Sequence, residues 1–533
     1  MRRTLAAAGL LATLSLSTGA QAQSLGDFTE AGASPLHYTL APERPAATCA
    51  ALGQMSVGDL TITSTAVVAA TADAPEFCRV RGVIAPENQF EVDLPSAWNR
   101  RFYMFGNGGY AGESLDAASR QATSARALKA GFATAQTNTG HDAAREPLAS
   151  FGASLPETID YAFRAVHRTV QTAKRAAAMY YARPVTFSYW DSCSTGGREG
   201  LMEAQRFPAD FDGVIAGAPV RNFVDTMVNY VWNAQALDGA GLTLDKVKAV
   251  GRALYDKCDA VDGLKDGLID DPRRCDFKPS RDVQQCAPGS DGTDCLTPAQ
   301  AGALEKIYAG ITLPDGQKYF FGWPLSAEGV GEEFTHSGRQ VSGWDGWMIN
   351  ADGSMSRQAT YMTTFMKNLA FGRPEPDFDF RKFDFAKDPA RMAAIRALLV
   401  PDATDLSPFR RRGGKLMMYH GWSDTALNPL MSVDYHERAM AANAPDGRDF
   451  FRLFMVPGMA HCGGGVATDR IDAITAMVNW VEAGAAPDSL RASRVQEGRV
   501  DRTRPLCPYP QSARYAGSGS VDDAASFSCK DPE

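Results

Sequence analysis

A chain of 533 residues, 44% of them hydrophobic, can bury a large core and has room for more than one domain. Its 62 acidic and 54 basic side chains leave a formal charge of −8, and no block of Lys or Arg suggests a nucleic-acid-binding stripe. No stretch has the apolar length of a membrane span, so neither nucleic acid nor membrane is an expected partner.

Residues 1–22 read as a secretory leader. Arg2 and Arg3 supply the positive start, residues 5–16 a short apolar run, and Ala20-Gln21-Ala22 the small-x-small cleavage pattern. The expected destination is therefore secreted or periplasmic, with a mature charge of −10 once Arg2 and Arg3 are lost. All ten cysteines lie beyond the leader, and an even number in an exported chain reads as a disulfide set. Sequence alone does not fix connectivity. Short loops favour Cys49–Cys78, Cys258–Cys275, Cys286–Cys295 and Cys507–Cys529, which leaves Cys193 and Cys462.

The next signals alternate between strand and helix. Arg101-Phe102-Tyr103-Met104-Phe105 is an expected strand leading into the loop Gly106-Asn107-Gly108-Gly109, and Phe132-Ala133-Thr134-Ala135-Gln136-Thr137 is another. Residues 158–181 have helical spacing and close at Arg183-Pro184. The run Val185-Thr186-Phe187-Ser188-Tyr189-Trp190 reads as a buried strand ending at Ser194, followed by a helix over 197–206 and a strand over 211–219. Regularity then stops. Residues 221–405 are rich in Gly, Pro, Asp and Trp, and read as a domain inserted above the strand ends. A parallel-type strand returns at Lys415-Leu416-Met417-Met418-Tyr419-His420-Gly421, then a helix over 430–442 and a strand over 450–456. The stretch after Val500 has no periodicity. Strands alternating with helices indicate a parallel α/β sheet. The expected division is 23–220 with 406–533 as catalytic domain, and 221–405 as lid.

A serine hydroxyl needs a base to take its proton, and the base needs a carboxylate to fix its tautomer. Ser194 sits at a strand-to-helix junction in Ser192-Cys193-Ser194-Thr195-Gly196, where a small serine replaces the first glycine of the G-x-S-x-G elbow. Asp424 follows a later strand, and His461 follows the next one in a glycine-rich loop, giving the order Ser, Asp, His. The other six histidines, His420 among them, lack that placement. Cys193 precedes Ser194 and Cys462 follows His461, so a bond between these cysteines would pin nucleophile and base together. Oxyanion donors are expected from the backbone of Thr195 and from Gly109 or Gly108.

Asp259, Asp262 and Asp266 lie three and four residues apart in a glycine-punctuated loop. With the carbonyls of Leu264 and Leu268 they make an oxygen shell suited to structural calcium rather than zinc. No organic cofactor is expected.

Taken together, Cys193-Ser194-Thr195-Gly196-Gly197-Arg198, Asp424, His461-Cys462, the 259–268 loop and the cysteine layout resemble the tannase/feruloyl esterase family. The resemblance implies an α/β-hydrolase core with a calcium-bearing lid and hydrolysis of esters of aromatic carboxylic acids. It implies catalytic roles for Ser194, Asp424 and His461, the bridge Cys193–Cys462, and calcium ligation by Asp259, Asp262, Leu264, Asp266 and Leu268. The partner is then a small aromatic ester, with Trp344, Trp347, Arg339 and Leu427 as candidate contacts; Arg339 would meet the free carboxylate of a terephthalate monoester. Feruloyl, galloyl and terephthaloyl esters all stay open. A terephthalate monoester hydrolase, or a non-catalytic aromatic- or glycan-binding protein on the same scaffold, are the other readings.

Overall fold

Nine strands build one mixed sheet: β1 (Leu60–Val68), β2 (Phe77–Ile84), β3 (Asn88–Pro95), β4 (Arg101–Met104), β5 (Ala133–Thr137), β6 (Phe187–Cys193), β7 (Gly213–Gly217), β8 (Lys415–Gly421) and β9 (Phe451–Val456). The computed structural model describes residues 28–36, 40–328, 334–336, 339–341, 343–350 and 355–532, with backbone alone for 334–336 and 339–341. The expected leader lies outside the described residues. So does the side chain of Arg339.

The strand order is β1-β2-β3-β5-β4-β6-β7-β8-β9. β1, β2, β3 and β5 pair antiparallel, and every pairing from β5 onward is parallel. The parallel part reads in sequence as continuous apolar runs because helices cover both its faces. Alternation within a strand sends neighbours to opposite sides. Trp190, Leu416 and Met418 enter one core, and Tyr189, Met417 and Tyr419 the other.

The order places the functional loops. β4 pairs with β6, which puts the glycine loop after β4 beside the turn after β6. β8 lies between β7 and β9, so the loops carrying Asp424 and His461 leave the same edge of the sheet.

Residues 221–405 are more regular than their composition suggests. They hold the helices Phe223–Leu237, Leu244–Cys258, Pro298–Ala309, Arg357–Asn368 and Ala393–Leu399. Phe223–Leu237 is buried nearly all round, so it shows no one-sided apolar stripe. Val224, Val231, Leu304 and Phe365 of this insert share one core with Tyr110, Ala426 and Leu427 from the loops at the strand ends and Met431 from the helix Leu430–Ala442. The chain after Val500, which shows no periodicity in sequence, is nevertheless built into strands. Arg499–Leu506 pairs antiparallel with Leu490–Gln496, and Ser512–Tyr515 with Phe527–Lys530. Among the described residues no helix is long and apolar enough to cross a membrane.

Five disulfides join Cys49–Cys78, Cys193–Cys462, Cys258–Cys275, Cys286–Cys295 and Cys507–Cys529. Four close short loops. Cys193–Cys462 instead joins chain segments 269 residues apart.

Candidate active site

Ser194 occupies a turn between β6 and the helix Thr195–Arg206 with φ 64° and ψ −124°. A non-glycine residue there costs about 1–3 kcal/mol, so the surroundings must hold it. The Ser194 N–H donates to Gly217 O at 2.9 Å, and the next turn of helix follows at once. Glycines make the turn sterically feasible. A Cβ on Gly196 would lie 2.0 Å from Ser192 Oγ, and one on Gly197 would lie 2.4 Å from Gly217 O. The serine in place of the elbow's first glycine is therefore tolerated because residue 196 has no side chain.

His461 Nε2 lies 3.0 Å from Ser194 Oγ, and His461 Nδ1 lies 2.8 Å from Asp424 Oδ2. Asp424 is fully enclosed, and its Oδ1 accepts the N–H groups of Ala426 and Leu427, both at 2.8 Å. Burial opposes ionisation of this carboxyl, but the attraction of His461 and the hydrogen bonds from His420 and His461 outweigh it. The Asp424 carboxyl is held well below the usual carboxylate range. The two supporting loops are also tied together. Trp422 N–H donates to Val456 O and Ser423 N–H to Met459 O, at 3.0 and 3.1 Å. A Cβ on Gly421 would lie 2.1 Å from Met459 O, so only glycine permits this approach.

The glycine loop meets the turn from the other side. Gly196 N–H donates to Asn107 O at 2.8 Å, and Thr195 Oγ1 donates to Gly109 O at 2.5 Å. Gly109 has φ +52°, and both Gly109 and Thr195 line the pocket that contains Ser194 and His461. Gly108 is not among the residues lining that pocket. Sequence reasoning missed the buried polar set beneath this loop. Asn107 N–H donates to Glu199 Oε2 at 3.1 Å, and the Asn107 amide donates to Thr137 O and Glu113. Arg120 donates to Gly106 O and Glu113. Burial pushes the Glu199 carboxyl up to about 7, against the pull of Arg198. The acidic and basic residues of this set are scattered over the chain, so no local motif announces it.

The pocket, about 360 Å³ including its mouth, is walled by Tyr110, Val220, Phe223, Met227, Tyr230, Trp347, Tyr361, Ala426 and Leu427. Of the expected contacts, Trp347 and Leu427 line it, and the Trp347 ring stands edge-on to His461 at 5.6 Å. Trp344 does not line it; that ring packs against Tyr308 at 6.2 Å. No Lys or Arg is among its described lining residues. The Arg357 guanidinium lies 5.0 Å from the Trp347 ring centre.

In the 259–268 loop, Asp259 accepts the N–H groups of Asp266 and Gly267, Asp262 accepts that of Leu264, and Asp266 accepts that of Leu268. Asp266 also pairs with Arg504. The one set of three ligand atoms within 4.8 Å of each other among the described residues is His167, Glu203 and Asp210, outside this loop. The loop's donors are all carboxylate or carbonyl oxygens, the chemistry a hard cation takes.

The strand-edge turn, the sheet order and the helical insert define an α/β-hydrolase. A family model described as tannase and feruloyl esterase matches residues 70–530, and the chain belongs to that family of carboxylic ester hydrolases. The chain is 35% identical to the mono(2-hydroxyethyl) terephthalate hydrolase of Piscinibacter sakaiensis, over 87% of this chain and 86% of that one. It is 29% identical to a probable feruloyl esterase B-1 of Aspergillus flavus, over 85% and 86%. The crystal structure of feruloyl esterase B from Aspergillus oryzae superposes with a TM-score of 0.75 at 27% identity, covering 91% of this chain and all of that one.

Proposed function

We propose that this protein is an exported serine esterase that hydrolyses esters of aromatic carboxylic acids through an acyl-enzyme. The observation that carries the reading is the hydrogen-bonded chain Ser194–His461–Asp424 at the floor of an aromatic-walled pocket. Ser194 Oγ attacks the ester carbonyl while His461 Nε2 takes its proton, and Asp424 fixes the tautomer and stabilises the imidazolium. The N–H groups of Thr195 and Gly109 receive the oxyanion. His461 then returns the proton to the departing alcohol. Water, deprotonated by the same nitrogen, releases the acid from Ser194.

The aromatic acyl group fits against Tyr110, Phe223, Met227, Trp347 and Tyr361. Likeness to the terephthalate monoester hydrolase keeps such a substrate in view. A free carboxylate, however, calls for a cation. The side chain of Arg339, the candidate cation, lies outside the described residues, and the Arg357 guanidinium packs on the Trp347 ring of the pocket wall, so feruloyl, galloyl and terephthaloyl esters stand together as candidate substrates. Export rests on the leader pattern and on five disulfides. The insert, 221–405, serves as the lid that carries most of the pocket wall. Calcium, when bound by Asp259, Asp262, Asp266 and the carbonyls of Leu264 and Leu268, supplies charge neutralisation and loop rigidity.

The test is Ser194→Ala assayed on methyl ferulate, methyl gallate, chlorogenate and the terephthalate monoester. Loss of the nucleophile is expected to cost on the order of 10⁶ in turnover. Turnover near wild type in a folded Ser194→Ala protein rejects the serine mechanism.

A further inference from the structure

His420, near the end of β8, is fully buried four residues before Asp424. Its Nε2 lies 3.2 Å from Asp424 Oδ2 and 3.2 Å from the carbonyl oxygen of Leu427, and its Nδ1 lies 2.7 Å from Ser432 Oγ. An ionised carboxylate and a carbonyl can only accept hydrogen bonds, so Nε2 carries the hydrogen. Ser432 Oγ, which can donate or accept, meets Nδ1 and fixes the orientation of the ring.

We infer that His420 is a positioning residue for the base: its Nε2–H holds Asp424 Oδ2 where that oxygen meets His461 Nδ1. The inference rests on the serine-esterase reading. Asp424 accepts two backbone hydrogen bonds on Oδ1 and one from His461 on Oδ2, and His420 Nε2, whose hydrogen bond goes to Leu427 O, stands 3.2 Å from the same Oδ2. Leu427 closes the arrangement, its N–H on Asp424 Oδ1 and its carbonyl on His420 Nε2, so neither side chain can turn without disturbing the other. The other groups facing this assembly come from three elements. His461 comes from the loop after β9 and the non-ionising Ser432 from the helix Leu430–Ala442. Tyr230 comes from the insert, its hydroxyl donating to Ala426 O.

Removing the Nε2–H leaves Asp424 Oδ2 held by His461 alone and less well solvated, although the two backbone bonds on Oδ1 remain. A misplaced partner lowers the rate, and a more localised charge raises the proton affinity of His461. The acid limb of the pH–rate profile, which reports deprotonation of the base, then moves to higher pH. The experiment compares wild type, His420→Ala and His420→Gln by kcat, KM, the pH dependence of kcat/KM and thermal unfolding, with Ser194→Ala alongside. For His420→Ala, kcat is expected to fall roughly tenfold to a hundredfold, the scale of an angstrom-level misplacement, with KM little changed. His420→Gln, whose amide N–H can reach the same oxygen, is expected to recover most of that loss and return the acid limb to its wild-type position. Wild-type kcat and acid limb in His420→Ala overturn the inference. So does a folded His420→Gln with no recovery, which also decides the matter if the alanine variant does not fold. An inactive Ser194→Ala beside an unperturbed His420→Ala overturns this inference alone, whereas an active Ser194→Ala removes the esterase reading beneath it.

Discussion

On the sheet side of the pocket, Ser194, Asp424 and His461 are fixed by directional bonds. These are the N–H of Ser194 on Gly217, two backbone donors on Asp424, cross-bonds between the 421–424 and 456–459 segments, and the Cys193–Cys462 disulfide. On the insert side, Phe223, Met227, Trp347 and Tyr361 form a wall chiefly by packing, ring against ring, as in Phe223 with Phe365 and Trp347 with Tyr361. Directional bonds set atoms to tenths of an angstrom, which proton transfer demands. Packing fixes volume and shape, which suffice to choose among acyl groups. One pocket therefore combines a side intolerant of displacement with a side tolerant of changed shape.

The sharpest way to break that contrast, short of removing the nucleophile, is to cut the covalent tie. Cys193→Ala with Cys462→Ala is expected to leave a folded, monodisperse protein, because β6 and β9 are already anchored in the sheet. Turnover is expected to fall by about a hundredfold, the scale of a misplacement near 1 Å. Full activity in the double variant would show that hydrogen bonds alone hold the sheet side.

Next in size is a change to the wall. Trp347→Ala is expected to lower kcat/KM for aromatic acyl esters by roughly tenfold or more, since missing pocket contacts are worth about 1–3 kcal/mol. Hydrolysis of an acetyl ester, which does not reach the wall, is the control. Equal losses on both substrates would mean that Trp347 acts through its contact with His461 rather than through acyl recognition.

Calcium removal is expected to have the smallest effect on rate and to appear mainly in stability. A ligand that binds only the native state contributes about 2.7 kcal/mol at a hundredfold excess over Kd. Chelation should lower Tm by a few degrees, with kcat at 25 °C nearly unchanged. An unchanged Tm with no metal by elemental analysis rejects the site. A large fall in kcat would instead point to the contact between Leu268 and Gly458, where the 259–268 loop touches the loop leading to His461.

The same contrast governs what the sequence discloses. β8 and the helix Leu430–Ala442 were legible to the residue, because a buried parallel strand and its crossover helix leave strong apolar signals. Ser194 and His461 stood out through their cysteine neighbours. Within the insert, Phe223–Leu237 is buried on nearly every side and has no stripe to find, whereas Leu244–Cys258 does carry a one-sided buried face among the Gly, Pro and Asp of its surroundings. Arg499–Leu506 failed for another reason. Its first four residues are largely exposed and mostly charged, so the alternation of a half-buried strand is absent. His420 lacks the loop placement expected of the base; only the path of the chain from β8 into its own following loop brings it to Asp424. Gly109 and Gly108 are alike in sequence, and of the two it is Gly109 that lines the pocket.

The Cys193–Cys462 pair also has a consequence in time. The chain between them, across a sequence separation of 269, includes β7, the whole insert, β8 and β9. Cys193 must therefore wait, as a thiol, while all of that chain emerges and folds. The correct pairing is possible only after β9 has docked beside β8. Oxidation of this one bond thus reports that the β6–β9 part of the sheet has assembled, and a chain still in a reducing compartment reaches that point without the clasp.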